Sequence, residues 1–143
     1  MKQTGTDLQL DRRSALLLGI AGAAAAIVGT GPHALAADVP VQQVAPGVTL
    51  KIRKEVDSQI PGYSKARLGE LTFKPGSKFG PETLKSVSVC EISGGPLEVH
   101  FEGQEPFTLQ PGDIYTCNVG LVETDINKGS ARCIMRFVEL DPA

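Results

Sequence analysis

Residues suited to metal, thiol or acid–base chemistry are sparse in this 143-residue chain, and their spacing excludes several uses. There are two histidines, His33 and His100, and three cysteines, Cys90, Cys117 and Cys133. No Cys-x-x-Cys pair and no Cys/His spacing occurs, so neither a zinc knuckle nor a thioredoxin-like dithiol is expected. His100 lies between Val99 and Phe101; on a strand it points out of the core if they point in. Carboxylates offer more. Glu82 in "FGPETLKS" and Glu123 in "GLVETDIN" lie in stretches punctuated by Gly and Pro, where turns expose short strands.

The elements that position these residues begin after an N-terminal segment of a different kind. "LDRRSALLLGIAGAAAAIVGTGPHALAAD" carries Arg12-Arg13, an apolar run from Ala15 to Val28, and the small-x-small sequence Ala34-Leu35-Ala36. This is the order of an export signal, residues 1–36, and the paired arginines indicate the twin-arginine (Tat) route to the periplasm. The run is rich in Ala and Gly, too mildly apolar for a permanent span, so no stable membrane span is expected after cleavage. His33 leaves with this segment. The first 36 residues hold three of the 14 basic and two of the 16 acidic residues. The remainder is one small domain of net charge about −3. With no Trp and no basic patch, it is not expected to bind nucleic acid. A domain this small buries limited surface, and a homodimer would relieve that. The oxidising compartment permits one disulfide among the three cysteines. Burial as small apolar side chains is the usual fate of free Cys.

Beyond a lead at residues 37–47, apolar runs alternate with turns through residues 48–143. "VTLKIRK", "RLGELTF", "SVSVCEI", "LEVHF", "FTL", "IYTC" and "ARCIMRFVEL" are separated by Gly, Pro and Asn. Short period-two runs between such turns predict an all-β sandwich or barrel of about eight strands. "SGGP" at residues 93–96 reads as a hairpin turn.

The turn spacing resembles the cupin family of small jelly-roll barrels. Gly76 is followed after five residues by Glu82, then by Leu84, after three more by Ser88, and after six more by Gly95. A second frame runs from Asn118-x-Gly120 to Glu123 and Asn127, after the turn Pro111-Gly112-Asp113. The likeness spans Val48 to Leu140. It implies a cupin-like β-barrel in which Glu82, Leu84, Ser88 and Glu123 stand where family members carry three histidines and a carboxylate. Leu84 cannot coordinate and Ser88 is a poor ligand, so no tightly bound metal is expected. A hard ion, Mn or Mg, could bridge the two acids weakly.

In this frame Glu82 and Glu123 project into the mouth of the barrel. Two carboxyls in an apolar cup resist double ionisation, giving the raised acid and ionised base that isomerisation or elimination needs. The alternative is that both sit in water at the rim or pair with Arg132 or Arg136. Leu84, Ser88 and Cys90 would face a ligand, with Ile92, Leu97 and Val99 forming the cup wall. Asn127 closes the second frame, either as a ligand contact or by fixing a loop. The leading expectation is a small-molecule binding module. A metal-independent lyase or isomerase using Glu82 and Glu123 is the alternative. A metal-dependent dioxygenase or decarboxylase rests on family analogy alone.

Overall fold

The computed structural model describes residues 39–143, so the expected export signal and its arginines lie outside the described residues. Ten strands form and the described residues contain no helix. They are β1 (Val41–Ala45), β2 (Val48–Asp57), β3 (Tyr63–Phe73), β4 (Lys78–Thr83), β5 (Val87–Ser93), β6 (Leu97–Phe101), β7 (Phe107–Leu109), β8 (Ile114–Cys117), β9 (Val122–Ile126) and β10 (Cys133–Pro142). A six-stranded sheet has the order β1-β2-β3-β10-β5-β8 and a four-stranded sheet the order β4-β9-β6-β7. Every pairing is antiparallel.

Alternation builds the core. On β6, Leu97, Val99 and Phe101 are buried while Glu98 and His100 are partly exposed; on β10, Cys133, Met135 and Phe137 turn inward. Phe73, Ile92, Leu97, Val48 and Val99 are fully buried between the sheets. His100 faces outward as its parity requires, bonded to Glu98, which also holds Lys128 at 2.7 Å.

Three sequence expectations change. The residue 37–47 lead contains β1, which pairs with β2 and joins the larger sheet. Ten strands form instead of about eight, because β1, β4 and β9 lack a plain apolar alternation. "SGGP" is not a hairpin: β5 pairs with β10 and β8, whereas β6 pairs with β9 and β7, so the turn carries the chain from one sheet to the other. Gly94 is still required there. Its φ is +82°, and a Cβ would lie 2.4 Å from the Arg132 carbonyl oxygen.

The outer face of the larger sheet departs from polar alternation. Leu68, Val138 and Val89 are direct neighbours across β3, β10 and β5, and Ala66, Leu140 and Val87 form the next row. Val56 extends that row on β2. Leu68, Val138, Val89 and Val56 are each 43–49% exposed. Glu70, Arg136 and Glu91 border the patch as one register row.

Candidate functional site

Between the sheets lies a cup of about 530 Å³, lined from β1, β2, β3, β4, β5, β9 and β10. Its walls are Leu50, Ile52, Leu71, Phe79, Leu84 and Phe137. Gly69 makes room for one of them: a Cβ there would lie 2.5 Å from Cζ of Phe137. A larger, more open hollow of about 930 Å³ between β1 and β4 shares Gln42, Val44, Phe79 and Glu82 with the cup. The reactive side chains collect in the smaller, more enclosed space.

They arrive chiefly on β9, whose polarity is inverted. Glu123, Asp125 and Asn127 are buried, while Val122, Thr124 and Ile126 are only partly so. Glu82 on β4 is the direct cross-strand partner of Glu123. A bulge between Phe79 and Glu82 sets this register, and Gly80 permits it. With φ at +100°, Gly80 approaches so closely that a Cβ would lie 2.4 Å from the Glu123 carbonyl oxygen.

The two acids differ from the expected pair. Glu82 is exposed at the lip, whereas Glu123 is 8% exposed. The Tyr115 hydroxyl donates to Glu123 Oε1 at 2.9 Å, and the Cys117 thiol donates from 3.7 Å. The more deeply placed acid is Asp125, 3% exposed, whose Oδ1 has no hydrogen-bond partner. Burial raises the Glu123 carboxyl above its ordinary value; Tyr115 and Cys117 oppose this, and the charge of Glu82 adds to the rise. Burial also raises Asp125 well above the usual carboxylate range, reinforced first by the charge of Glu123. Burial thus favours the neutral form of both carboxyls, and at Glu123 two donors partly offset it. Burial pushes the Tyr115 hydroxyl upward, fixing it as a donor. Cys90 is lowered, chiefly by a hydrogen bond from Cys117. All three cysteines are free and buried.

Elsewhere in the cup Arg67 is paired, whereas Lys85 is exposed and forms no ion pair among the described residues. Arg67 Nε lies 2.9 Å from Glu139 Oε1, and its Nη2 bonds Asp141, which also accepts from Ser86 at 2.7 Å.

Of the residues singled out in the sequence, Glu82, Leu84, Ser88, Cys90 and Glu123 all line the cup. Asn127 does not. It is fully buried, its Nδ2 donates to the carbonyls of Phe73 and Ala131, and its Oδ1 accepts from Gly129 N, so it ties a loop together. Ile92, Leu97 and Val99 belong to the packed core and not to the cup wall. Neither Glu82 nor Glu123 pairs with Arg132 or Arg136; Arg136 reaches Glu91 at 4.0 Å. Asp125 and Tyr115 went unread. The signal for Asp125 was present: 123, 125 and 127 share parity, and all three are polar.

No protein-family model matches the sequence, and neither does any curated protein. Solved structures do match. KdgF from a Halomonas species aligns with a TM-score of 0.57 at 19% identity, over 70% of this chain and 84% of that one. A predicted oxalate decarboxylase from Thermotoga maritima gives 0.58 at 14% identity, over 72% and 93%. An RmlC-like cupin from Shewanella frigidimarina gives 0.56 at 10%, over 80% and 93%. This is a cupin fold.

The donor set does not fit the metal centre expected from that likeness. Of the four positions that the sequence resemblance matches to cupin ligands, Leu84 offers no donor, Ser88 only a neutral hydroxyl, and Glu82 stands exposed at the lip. Among the described residues no three His, Cys, Asp or Glu side chains are placed to hold an ion together. What this cupin cup carries instead is an acid pair of unequal environment, Glu123 and Asp125.

Proposed function

We propose that the protein binds a small organic molecule in the cup. The observation carrying this reading is an enclosed space of about 530 Å³ whose apolar walls meet buried, incompletely partnered acids. Mostly apolar hollows with a few convergent polar groups are the usual form of a small-molecule site. A fragment screen followed by NMR tests it. Hits should shift resonances of Leu71, Leu84 and Phe137, and Leu84→Trp, which fills the cup, should abolish them. Hits confined to the hollow between β1 and β4 would refute it.

Asp125 beside Glu123 favours a second reading, metal-independent proton transfer. Glu123 would take a proton from a carbon acid while Asp125 protonates the neighbouring oxygen or carbon, as isomerisation or elimination requires. Glu82, the partner expected from sequence, would serve at the lip. Deuterium from solvent appearing at carbon in a bound ligand, and lost in Glu123→Gln, would support turnover.

The periplasm remains the proposed location, by the Tat route. Fractionation with N-terminal sequencing should yield a chain beginning near Ala37. The proposed partner is a second copy, seated on the outer face of the larger sheet. At about 3.3 Å per residue and 4.8 Å between strands, β2, β3, β10 and β5 present roughly 600 Å². That approaches the ~800 Å² per partner of a standard interface, with an apolar centre and a charged rim. Val138→Lys should convert a dimer to monomer in sedimentation; a monomeric parent protein would end this reading.

A further inference from the structure

The acids of the cup, two buried and one at the lip, lack a counter-charge. Glu82, Glu123 and Asp125 line one cavity, and among the described residues none of them forms an ion pair. Two cationic side chains line the same space. Arg67 is already held by Glu139 and Asp141, and Lys85 is exposed. The other groups facing Asp125 and Glu123 are Cys90 on β5, Tyr115 and Cys117 on β8, and Cys133 on β10. Each is neutral or would become anionic; none supplies positive charge. Two buried atoms of the cup make no hydrogen bond: Arg67 Nε, which still faces the Glu139 carboxylate at 2.9 Å, and Asp125 Oδ1, an acceptor with no opposite charge beside it. Buried polar groups are nearly always satisfied, and an exception inside a cavity marks a place for a ligand's own polar group.

We infer that the cup takes an organic cation, an amine whose ammonium group sits against Asp125 and Glu123 while its apolar body lies along Leu71, Phe79, Leu84 and Phe137. This rests on the binding reading above and narrows it. An ammonium carries donors and no acceptor, matching the acceptors on offer at Asp125 Oδ1, which has no partner, and at Glu123 Oε2, which has only the Cys117 thiol at 3.8 Å. Tyr115 already occupies Glu123 Oε1. An inorganic ion would satisfy the charge but leave the apolar walls unfilled. Burial favours the neutral form of both acids and an adjacent ammonium favours the ionised form, so amine binding is coupled to proton release.

The probes are n-hexylammonium, 1-hexanol of the same body, and MgCl₂, each titrated by calorimetry into the full chain. The amine should bind about 10–100-fold more tightly than the alcohol, the usual margin of a charged hydrogen bond. Its affinity should rise with pH between 5 and 8, and enthalpies in two buffers should show net proton release. Asp125→Asn, which keeps the shape and removes the acid, should bring the two ligands to within about threefold. Its thermal melt reports that it has folded. Equal binding of amine and alcohol overturns the cation inference and leaves the cup as a binding site. Binding of Mg²⁺ without the amine overturns it as well. Failure of all three probes, together with an empty fragment screen, removes both readings.

Discussion

Asp125 and Asn127 are two residues apart, turn to the same side of the chain, and are both almost completely buried. Their surroundings are opposite. Asn127 has two donors and an acceptor, all used, on Phe73, Ala131 and Gly129. Asp125 has a fully buried oxygen with no partner. A buried amide that is satisfied holds the fold together; a buried acid left unsatisfied costs stability and persists only where something else uses it. The same contrast separates the two charged regions of the cup. Arg67, Glu139, Asp141 and Ser86 pair with one another, even though Arg67 Nε meets Glu139 without a well-aligned hydrogen bond, whereas Glu123 and Asp125 have no opposite charge.

The contrast can be broken first at Asn127. Asn127→Ala strands two carbonyls and one N–H, so it should cost about 3 kcal/mol or more. The measurement is a urea unfolding curve. A loss under 1 kcal/mol would mean that those bonds are replaced by water and that Asn127 is not structural.

The opposite sign is expected next door. An unfolded chain ionises Asp125 near its ordinary value of about 3.9, whereas the folded chain keeps it protonated to a higher pH. Between those values the folded state binds more protons, so stability falls as pH rises from about 4. Asp125→Asn cannot ionise and escapes this fall. Variant and parent should melt together near pH 4. At pH 8 the variant should be the more stable by on the order of 1–3 kcal/mol, the cost of a buried polar group without partners. Parallel melting curves from pH 4 to 8 would show that Asp125 is solvated after all.

Much of this was legible in the sequence. Strands β2, β3, β5, β6, β7, β8 and β10 follow from period-two apolar runs, and "LEVHF" gives β6 to the residue. Hydrophobic burial imposes that period wherever one face meets the core. The strands that escaped are the ones that build the site. β4, "KFGPET", contains the Gly and Pro of its bulge, and β9, "VETDI", turns its acids inward. A rule that places apolar residues inside reads β9 backwards. The turn spacing nevertheless brought Glu82 and Glu123 to one end of the barrel, because backbone frames outlast the side chains mounted on them; their direct cross-strand pairing comes from the structure. Asp125 was missed because no frame position falls on it; only strand parity links it to Glu123 and Asn127. The hairpin assigned to "SGGP" failed for a related reason. Positive φ at Gly94 fixes a tight turn, but the next strand's partner is chosen by packing far along the chain.

At Glu123 three neighbours act with different signs, and the expected effects are smaller. The Tyr115 hydroxyl donates to Oε1 and favours the ionised carboxylate, so Tyr115→Phe should raise the Glu123 pKa. Glu82 is a like charge across the strand pair, so Glu82→Gln should lower it. Lost hydrogen bonding should outweigh the lost repulsion, because Tyr115 touches the carboxylate inside the barrel while Glu82 is screened by water at the lip. Carbon-detected NMR titration of the side-chain carboxyls reads both shifts directly. Opposite signs, with Tyr115→Phe the larger, would place control of Glu123 in the buried cluster of β8 and β9. Were Glu82→Gln the larger, the Glu82–Glu123 pair read from the sequence would be the working pair. Asp125 would then be a buried acid with no part in the chemistry.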